Sequence, residues 1–156
     1  MSCWVFQIDS AFYRVDDALR SGSAHTWIVN QHRKDIHIGD KVFIYRTGDN
    51  AAVLARGVVQ HEPEDAPPDP DEEKFLVNPL KFSGKRCRVR VKTERFVVPL
   101  SKNTMLKDAI LGSWFLLTGM EGTNFKVSRE IESALESLLA KPRNHTGVFT
   151  VTGQGS

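Results

Sequence analysis

Trp27 is the residue whose surroundings most clearly indicate binding chemistry. It stands where a short apolar stretch gives way to the polar, basic run "NQHRKD" at residues 30–35. A planar aromatic ring can stack on a nucleobase for about 1–3 kcal/mol without requiring a particular base. Specificity must then come from polar groups around the base edge, and the backbone of Ile28 and the side chains of Asn30, Ser10 and Asn124 could supply them. This stretch therefore predicts a pocket for a planar ligand.

Other aromatic residues at strand ends or in irregular segments could complete such a pocket. Tyr45 ends an aromatic strand, and Trp114 lies in the irregular segment "SWFLLTGMEGTNFKV". Phe115 and Phe125 lie in that same segment, and we expect either Trp114 or Phe115 to be a core residue. Trp4, Phe6 and Phe43 are each expected in the core.

The charge distribution predicts a polyanionic partner. Residues 62–73, "EPEDAPPDPDEE", hold seven of the 19 acidic residues and none of the 21 basic ones, so the remainder is strongly basic. Its proline-rich acidic composition predicts a mobile loop, which we place at residues 61–74. Basic residues concentrate in "KFSGKRCRVRVKTER", residues 81–95. The candidates for phosphate contacts are Arg33, Lys34, Arg86, Arg88, Arg90 and Lys92. A solvated strand face explains the same charges equally well.

Several classes of chemistry lack their sequence signals. The five histidines and two cysteines show no metal-ligand spacing, and there is no Gly-x-Ser-x-Gly elbow or phosphate-binding loop. We therefore predict no metal, no cofactor and no catalytic residue. No apolar run approaches the roughly 20 residues of a membrane span, and the first residues do not resemble a signal peptide. A cytoplasmic protein without a membrane partner is expected.

The periodicity of the chain predicts a mixed α+β fold. Strands are expected at residues 4–8, 26–29, 41–46, 51–60 and 87–91, with a helix at 12–20. In the strand at 87–91, Cys87, Val89 and Val91 should face the core while the basic residues share the other face. The last third should contain a short helix at 102–112 and a helix that Ser128 caps. These elements suggest a small mixed β-barrel with peripheral helices, over residues 1–141, followed by a polar tail or linker at 142–156.

The order of these features resembles the EVE domain of the PUA-like superfamily, which is related to YTH and ASCH domains. The resemblance rests on the W-x-F strand, the helix, the tryptophan after a polar stretch, the "IGD" turn, the strand ending in Tyr45 and the returning "ARGVV" hairpin. The Gly-containing segment before the last helix extends it over roughly residues 3–140. The resemblance implies a PUA-like β-barrel with Trp27 as one wall of an aromatic cage. Trp114, Phe82 and Phe75 compete for the second wall.

The same resemblance implies a reader of modified bases. The base would be a methylated or hydroxymethylated cytosine, or a methyladenine, flipped out of DNA more readily than out of RNA. The domain would serve as the specificity module of a modification-dependent restriction system, with a nuclease or ATPase partner. One alternative is an ASCH-like nucleoside amidohydrolase, for which Thr26, Lys34, Asp35 and Asp40 are the available residues. The other is an adaptor whose acidic loop binds a basic protein.

Overall fold

Seven strands form one mixed sheet in the computed structural model, which describes residues 1–22, 24–77 and 84–142. The strands are β1 (Cys3–Asp9), β2 (Ala24–Ile28), β3 (Lys41–Thr47), β4 (Ala52–Val59), β5 (Glu64–Ala66), β6 (Arg86–Ser101) and β7 (Asn124–Val127). Their order is β2-β6-β4-β3-β1-β7, and β5 pairs with β6. The β1–β3 pair is parallel and the other pairs are antiparallel. The sheet curls into a half-barrel, so the predicted α+β PUA-like fold is confirmed.

The described residues also form four α-helices: α1 (Val15–Ser21), α2 (Pro70–Glu73), α3 (Lys102–Leu106) and α4 (Arg129–Ala140). Two 3-10 turns, Leu111–Ser113 and Phe115–Thr118, follow α3. Ser128 caps α4 as predicted, because its Oγ accepts a hydrogen bond from the Ile131 backbone N–H at 3.2 Å. The predicted helix at 102–112 is shorter, since regular α-helix ends at Leu106.

The two faces of the sheet carry separate hydrophobic cores. The first core contains Trp4, Phe6, Trp27, Val42 and Ile44. The second contains Phe43, Tyr45, Leu100, Trp114 and Leu135. Successive residues of β3 enter opposite cores, as the twofold period of a strand requires. Trp4, Phe6 and Phe43 are buried as predicted, and so are Cys87, Val89 and Val91 of β6.

The "IGD" turn anchors the start of β1. Gly39 has a φ of 89°, a conformation that glycine adopts without strain. Asp40 then accepts hydrogen bonds from the Trp4 indole Nε1–H at 2.9 Å and from the His37 backbone N–H at 2.9 Å. Asp40 is thus a buried structural residue.

The acidic segment was predicted from its composition to be a loop, but it contains regular secondary structure. It contains β5 and α2, and β5 pairs with Arg86–Arg88 at the start of β6. Shortly after α2, Leu76 forms a β-bridge with Tyr13, which precedes α1. The loop assignment was wrong because Glu62, Asp65, Asp69 and Glu72 pair with His or Arg side chains on other elements, which lowers the cost of placing the segment against the domain.

Candidate functional site

A cavity of about 780 Å³ opens where the ends of β1 and β2 approach the Phe12–Tyr13 turn, α2 and the loop at residues 119–123. Its volume lies in the range typical of small-molecule sites. The apolar and aromatic lining residues are Ile8, Phe12, Tyr13, Trp27, Ile28, Leu76 and Met120. Polar and charged lining residues include Gln7, Asp9, Asn30, Thr47, Glu72, Arg86, Glu121 and Thr123. This cavity combines aromatic surface with polar groups, as a site for a planar polar ligand requires.

Trp27 lies in the wall of this cavity although it is only 2% exposed. Its ring packs edge-on against Tyr13, with centroids 6.0 Å apart and planes inclined at 70°. The Trp27 Nε1–H and the Tyr13 hydroxyl are both buried, and neither has a hydrogen-bond partner among the described residues. Buried polar groups are rarely left unpaired, because each costs about 1–3 kcal/mol. Both groups belong to residues of one cavity wall, and a ligand that reaches them would satisfy them.

Asn124 holds the polar side of the cavity together. Its Oδ1 accepts hydrogen bonds from the backbone N–H groups of Asn30 at 2.7 Å and Gln31 at 3.2 Å, and its Nδ2 donates to the Ile28 carbonyl at 3.2 Å. These bonds connect the end of β2 to β7, the two outer strands of the half-barrel path. Asn30 in turn donates from Nδ2 to the Thr123 hydroxyl at 2.7 Å. Asn124 itself is 1% exposed and acts by positioning Ile28 and Asn30.

The structure brings together only some of the residues proposed for the pocket. Trp27, Ile28 and Asn30 line the cavity, and Asn124 supports them. Tyr45 and Trp114 belong to the second core, on the opposite face of the sheet. Tyr45 is two residues from Phe43 in β3, so strand alternation assigns both to the same face. Ser10 is exposed and does not line the cavity.

The aromatic partner of Trp27 is Tyr13, which the sequence argument missed. The spacing of Phe12, Val15, Ala18 and Leu19 predicted a helix from residue 12, whereas α1 begins at Val15. Asp9 begins a turn instead, because its Oδ1 accepts a hydrogen bond from the Ala11 N–H at 2.9 Å. An Asp-Ser pair directly after a strand is the signal that could have indicated this turn. Of the other proposed walls, Phe75 packs on Tyr13 without lining the cavity, and Phe82 lies outside the described residues.

The basic residues of β6 do not form one free surface. Arg88 is 2% exposed, and its Nη1 lies 2.7 Å from Oε1 of Glu72, which is also buried. Arg88 Nε also donates to the Ala66 carbonyl at 3.1 Å. Arg88 is therefore a structural residue, and the prediction that it contacts phosphate is wrong for this conformation.

The other candidate phosphate ligands are more accessible. Arg90 approaches Asp69 at 3.4 Å, and Arg33 pairs with Asp65 at 2.9 Å, so both face the acidic segment. Arg86 is exposed and lines the cavity. Lys34 and Lys92 are exposed, with Lys92 beside a second depression near Lys41 and Arg56. Among the proposed phosphate ligands, Arg86 is the cation that lines this cavity.

Burial controls the protonation of two cavity residues. Loss of hydration raises the pKa of the Glu72 carboxyl to about 7, outweighing the opposing effect of Arg88. Burial also raises the pKa of the Tyr13 phenol, and nearby Glu72 and Asp69 add to the shift. The Tyr13 hydroxyl therefore remains protonated and can donate a hydrogen bond at neutral pH.

The described residues include no group of three or more His, Cys, Asp or Glu side chains that could hold a metal ion. Both cysteines are buried free thiols. Burial raises the pKa of the Cys3 thiol to about 12, so it is an unreactive core residue. Within the part of the chain that the structure describes, no helix is long and apolar enough to cross a membrane.

Comparison with known proteins identifies the family. The model of the EVE domain family matches residues 2–138. The chain belongs to the EVE domain family. No curated protein sequence matches the chain.

Solved structures show the same EVE fold at low sequence identity. A Leishmania major protein is 17% identical with a TM-score of 0.62, covering 89% of this chain and 94% of that one. A Pseudomonas syringae protein is 16% identical with a TM-score of 0.61, and the coverages are 88% and 99%. Human THYN1, solved in complex with DNA containing 5-methylcytosine, is 13% identical with a TM-score of 0.62, over 92% of this chain and all of that one.

Proposed function

We propose that this EVE domain binds nucleic acid and reads a modified base flipped into the cavity beside Trp27. The observation that carries the proposal is that Trp27 and Tyr13 form an aromatic wall of one cavity and each carries a buried polar group without a partner among the described residues. Enzymes and readers that extract a base recognise it by stacking and by hydrogen bonds to its edge. The human relative solved with DNA containing 5-methylcytosine supports the same choice of ligand.

The energetics require a close fit around the modification. Extracting a base costs a few kcal/mol, which stacking and edge hydrogen bonds must offset. Burying one extra methyl group contributes only about 0.8 kcal/mol, or about fourfold in affinity. Apolar cavity residues such as Ile8, Ile28 and Leu76 offer surfaces for that contact. Methylated or hydroxymethylated cytosine and methyladenine are the modifications that we propose.

The wider biological setting is proposed on the family resemblance. DNA is favoured over RNA, and the domain would supply specificity to a modification-dependent restriction system with a nuclease or ATPase partner. It would act in the cytoplasm as a binding domain without catalysis of its own. Residues 1–141 would form the EVE domain, with 142–156 as a tail or linker.

The two alternatives receive less support from the described residues. Four residues were considered for amidohydrolase chemistry, and none of them lines the cavity. Asp40 is structural, the hydroxyl oxygen of Thr26 is buried, and Lys34 and Asp35 lie on the polar loop. The adaptor role needs accessible acids. In this structure Glu62, Asp65, Asp69 and Glu72 each pair with a basic residue of the same domain, so a basic partner would have to compete with these pairs.

A binding panel tests the proposal. Oligonucleotides of one sequence would carry cytosine, 5-methylcytosine, 5-hydroxymethylcytosine, adenine or N6-methyladenine, each as DNA and RNA, and would be titrated by fluorescence anisotropy. We expect one modified DNA to bind at least about fourfold more tightly than its unmodified form. Equal affinity for every modified and unmodified pair would reject the reader function.

A further inference from the structure

Glu72 is an unusual residue to find on the wall of an aromatic cavity. It lies in α2, within the acidic segment, and is 7% exposed. Arg88 donates to its Oε1, and no other described side chain donates to the carboxylate. A buried ion pair seldom stabilises a fold more than apolar residues of similar size would. A carboxylate at this position therefore needs an explanation beyond stability.

The cavity presents complementary hydrogen-bonding groups around Glu72. In its ionised form, which predominates above the pKa of about 7, the Glu72 carboxyl only accepts hydrogen bonds, whereas the Trp27 indole N–H donates and the Tyr13 hydroxyl can donate. All three residues line the same cavity, and the Trp27 and Tyr13 rings are in contact. Glu72 lies close enough to Tyr13 to help raise the pKa of its phenol. The residues that line the cavity thus include one acceptor, Glu72, and two donors, Trp27 and Tyr13.

This pattern matches the edge of an amino-substituted base. Cytosine carries an amino group at C4 that donates, beside ring N3 and O2, which accept; adenine carries an amino group at C6 beside an accepting N1. Glutamate is a recognised acceptor for the cytosine amino group. Thymine and uracil carry a carbonyl oxygen where cytosine has its amine, so in the same pose two acceptors would face each other. Such a mismatch leaves buried groups unpaired.

We propose that Glu72 is a specificity-determining residue that accepts a hydrogen bond from the exocyclic amine of the flipped base. The inference rests on the proposed base-reading function and adds to it a second selection, for bases that carry an exocyclic amine. The apolar wall would read the modification, and Glu72 would read the amine. The acidic segment then serves a purpose in recognition, because it carries Glu72 into the cavity.

The burial of Arg88 fits this role. Its Nη1 holds Oε1 of Glu72 at 2.7 Å, and its Nε is held by the Ala66 carbonyl at 3.1 Å. A carboxylate fixed in this way loses little freedom when it accepts a further hydrogen bond, which is the advantage of preorganisation. Arg88 is accordingly a positioning residue for Glu72.

Changing the ligand tests the proposal without altering the protein. Two oligonucleotides would differ only at the flipped position, one with 5-methylcytosine and the other with 5-methyl-2-pyrimidinone, which lacks the 4-amino group. A hydrogen bond to a buried charged group predicts at least about tenfold weaker binding of the second by wild-type protein. A third oligonucleotide with thymine, which keeps the methyl group, should also bind weakly. Equal binding of the first two would overturn the proposal and leave the reader function standing.

Changing the protein then assigns the effect to Glu72. Glu72→Gln keeps the side-chain shape and should bring the ratio between the two ligands close to one. Glu73→Gln is the matched control, because it makes the same change at the exposed neighbour in α2 and should keep the wild-type ratio. Circular dichroism and thermal midpoints would establish that each variant folds. Glu72→Asp, which keeps a charge for Arg88 and withdraws the carboxylate by one methylene, provides a second variant if Glu72→Gln does not fold.

The outcomes separate the two proposals. A wild-type ratio that survives in Glu72→Gln, or in Glu72→Asp where only that variant folds, would overturn the role of Glu72. It would leave base reading intact if 5-methylcytosine is still preferred to cytosine. If wild-type protein shows no preference for modified bases, base reading is rejected, and the proposed role of Glu72 is rejected with it. We expect the dependence of affinity on the 4-amino group to disappear when Glu72 is changed and to persist in Glu73→Gln.

Discussion

Arg88 and Glu72 form an ion pair that is almost completely withdrawn from water, with 2.7 Å between Nη1 and Oε1. Their side chains are 2% and 7% exposed. The pair connects β6, the longest strand, to α2 in the acidic segment. A segment whose composition resembles a solvated loop is thereby fixed against the domain and completes one wall of the cavity.

Arg88→Gln should destabilise the protein far more than Arg90→Gln. Removing one partner of a buried pair leaves the other charge unpaired, at a cost of about 3–5 kcal/mol. Arg90 is about half exposed and lies 3.4 Å from Asp69, so its loss should cost less than about 1 kcal/mol. Urea unfolding of the two variants measures both effects. Equal losses would show that the buried pair does not hold the segment in place.

The pH dependence of stability should reveal the buried carboxyl. Burial raises the pKa of Glu72 from 4.5 to about 7, so between these values the native state binds more protons than the unfolded state. The contribution of Glu72 to the free energy of unfolding must therefore fall as pH rises through this window. Wild-type protein should lose stability relative to Glu72→Gln between pH 5 and pH 8. Other groups, including His37 beside Glu62, are present in both proteins and cancel in the comparison. Parallel curves of thermal midpoint against pH would contradict the assignment.

Much of the scaffold could be predicted from local patterns. The twofold alternation of β6 correctly placed Cys87, Val89 and Val91 in the core, and Ser128 was recognised as a helix cap. These features depend on residues within one element. The contacts of Glu72 with Arg88 and of Asp65 with Arg33 join separate elements, and composition alone cannot indicate them.

The candidate site was only partly predictable for the same reason. Trp27, Ile28 and Asn30 were found because they are neighbours in the sequence. Tyr13 contacts Trp27 in the folded chain, where the turn that holds Tyr13 also forms a β-bridge with Leu76. Helical spacing had instead placed Tyr13 in a helix. Tyr45 was chosen for its position at a strand end, although alternation with Phe43 already assigned it to the other face.

The salt dependence of DNA binding should identify the phosphate contacts. Each neutralised phosphate contributes roughly 0.7–0.9 to the slope of log affinity against log salt. Arg86→Gln should flatten the slope by about that amount and weaken modified and unmodified DNA equally, since phosphates carry no base identity. Lys107→Gln, an exposed cation just after α3 and outside the cavity lining, should leave the slope unchanged. A slope unaffected by Arg86→Gln would favour Arg33 and Lys34 instead.

Trp27→Phe should abolish discrimination without unfolding the domain. The change removes the unpartnered Nε1–H and part of the ring, and its stability cost should be smaller than the roughly 3–5 kcal/mol of a change to alanine. Trp114→Phe makes the same substitution in the second core, where Trp114 is 4% exposed. Anisotropy titrations should show lost preference for the modified base only in Trp27→Phe. Similar binding defects in both variants would show that Trp27 acts as a core residue and not as a contact of the base.

The most direct measurement follows the three tryptophan indole N–H resonances while a modified oligonucleotide is added to the ¹⁵N-labelled protein. Trp4 Nε1–H is already bonded to Asp40, and Trp114 lies in the second core, so both provide internal controls. Trp27 lines the cavity, and its Nε1–H has no partner among the described residues. If a flipped base enters beside Trp27, its indole resonance should shift strongly with the modified oligonucleotide, while those of Trp4 and Trp114 remain nearly constant. Saturation of binding with an unchanged Trp27 resonance would contradict the account and place the base elsewhere.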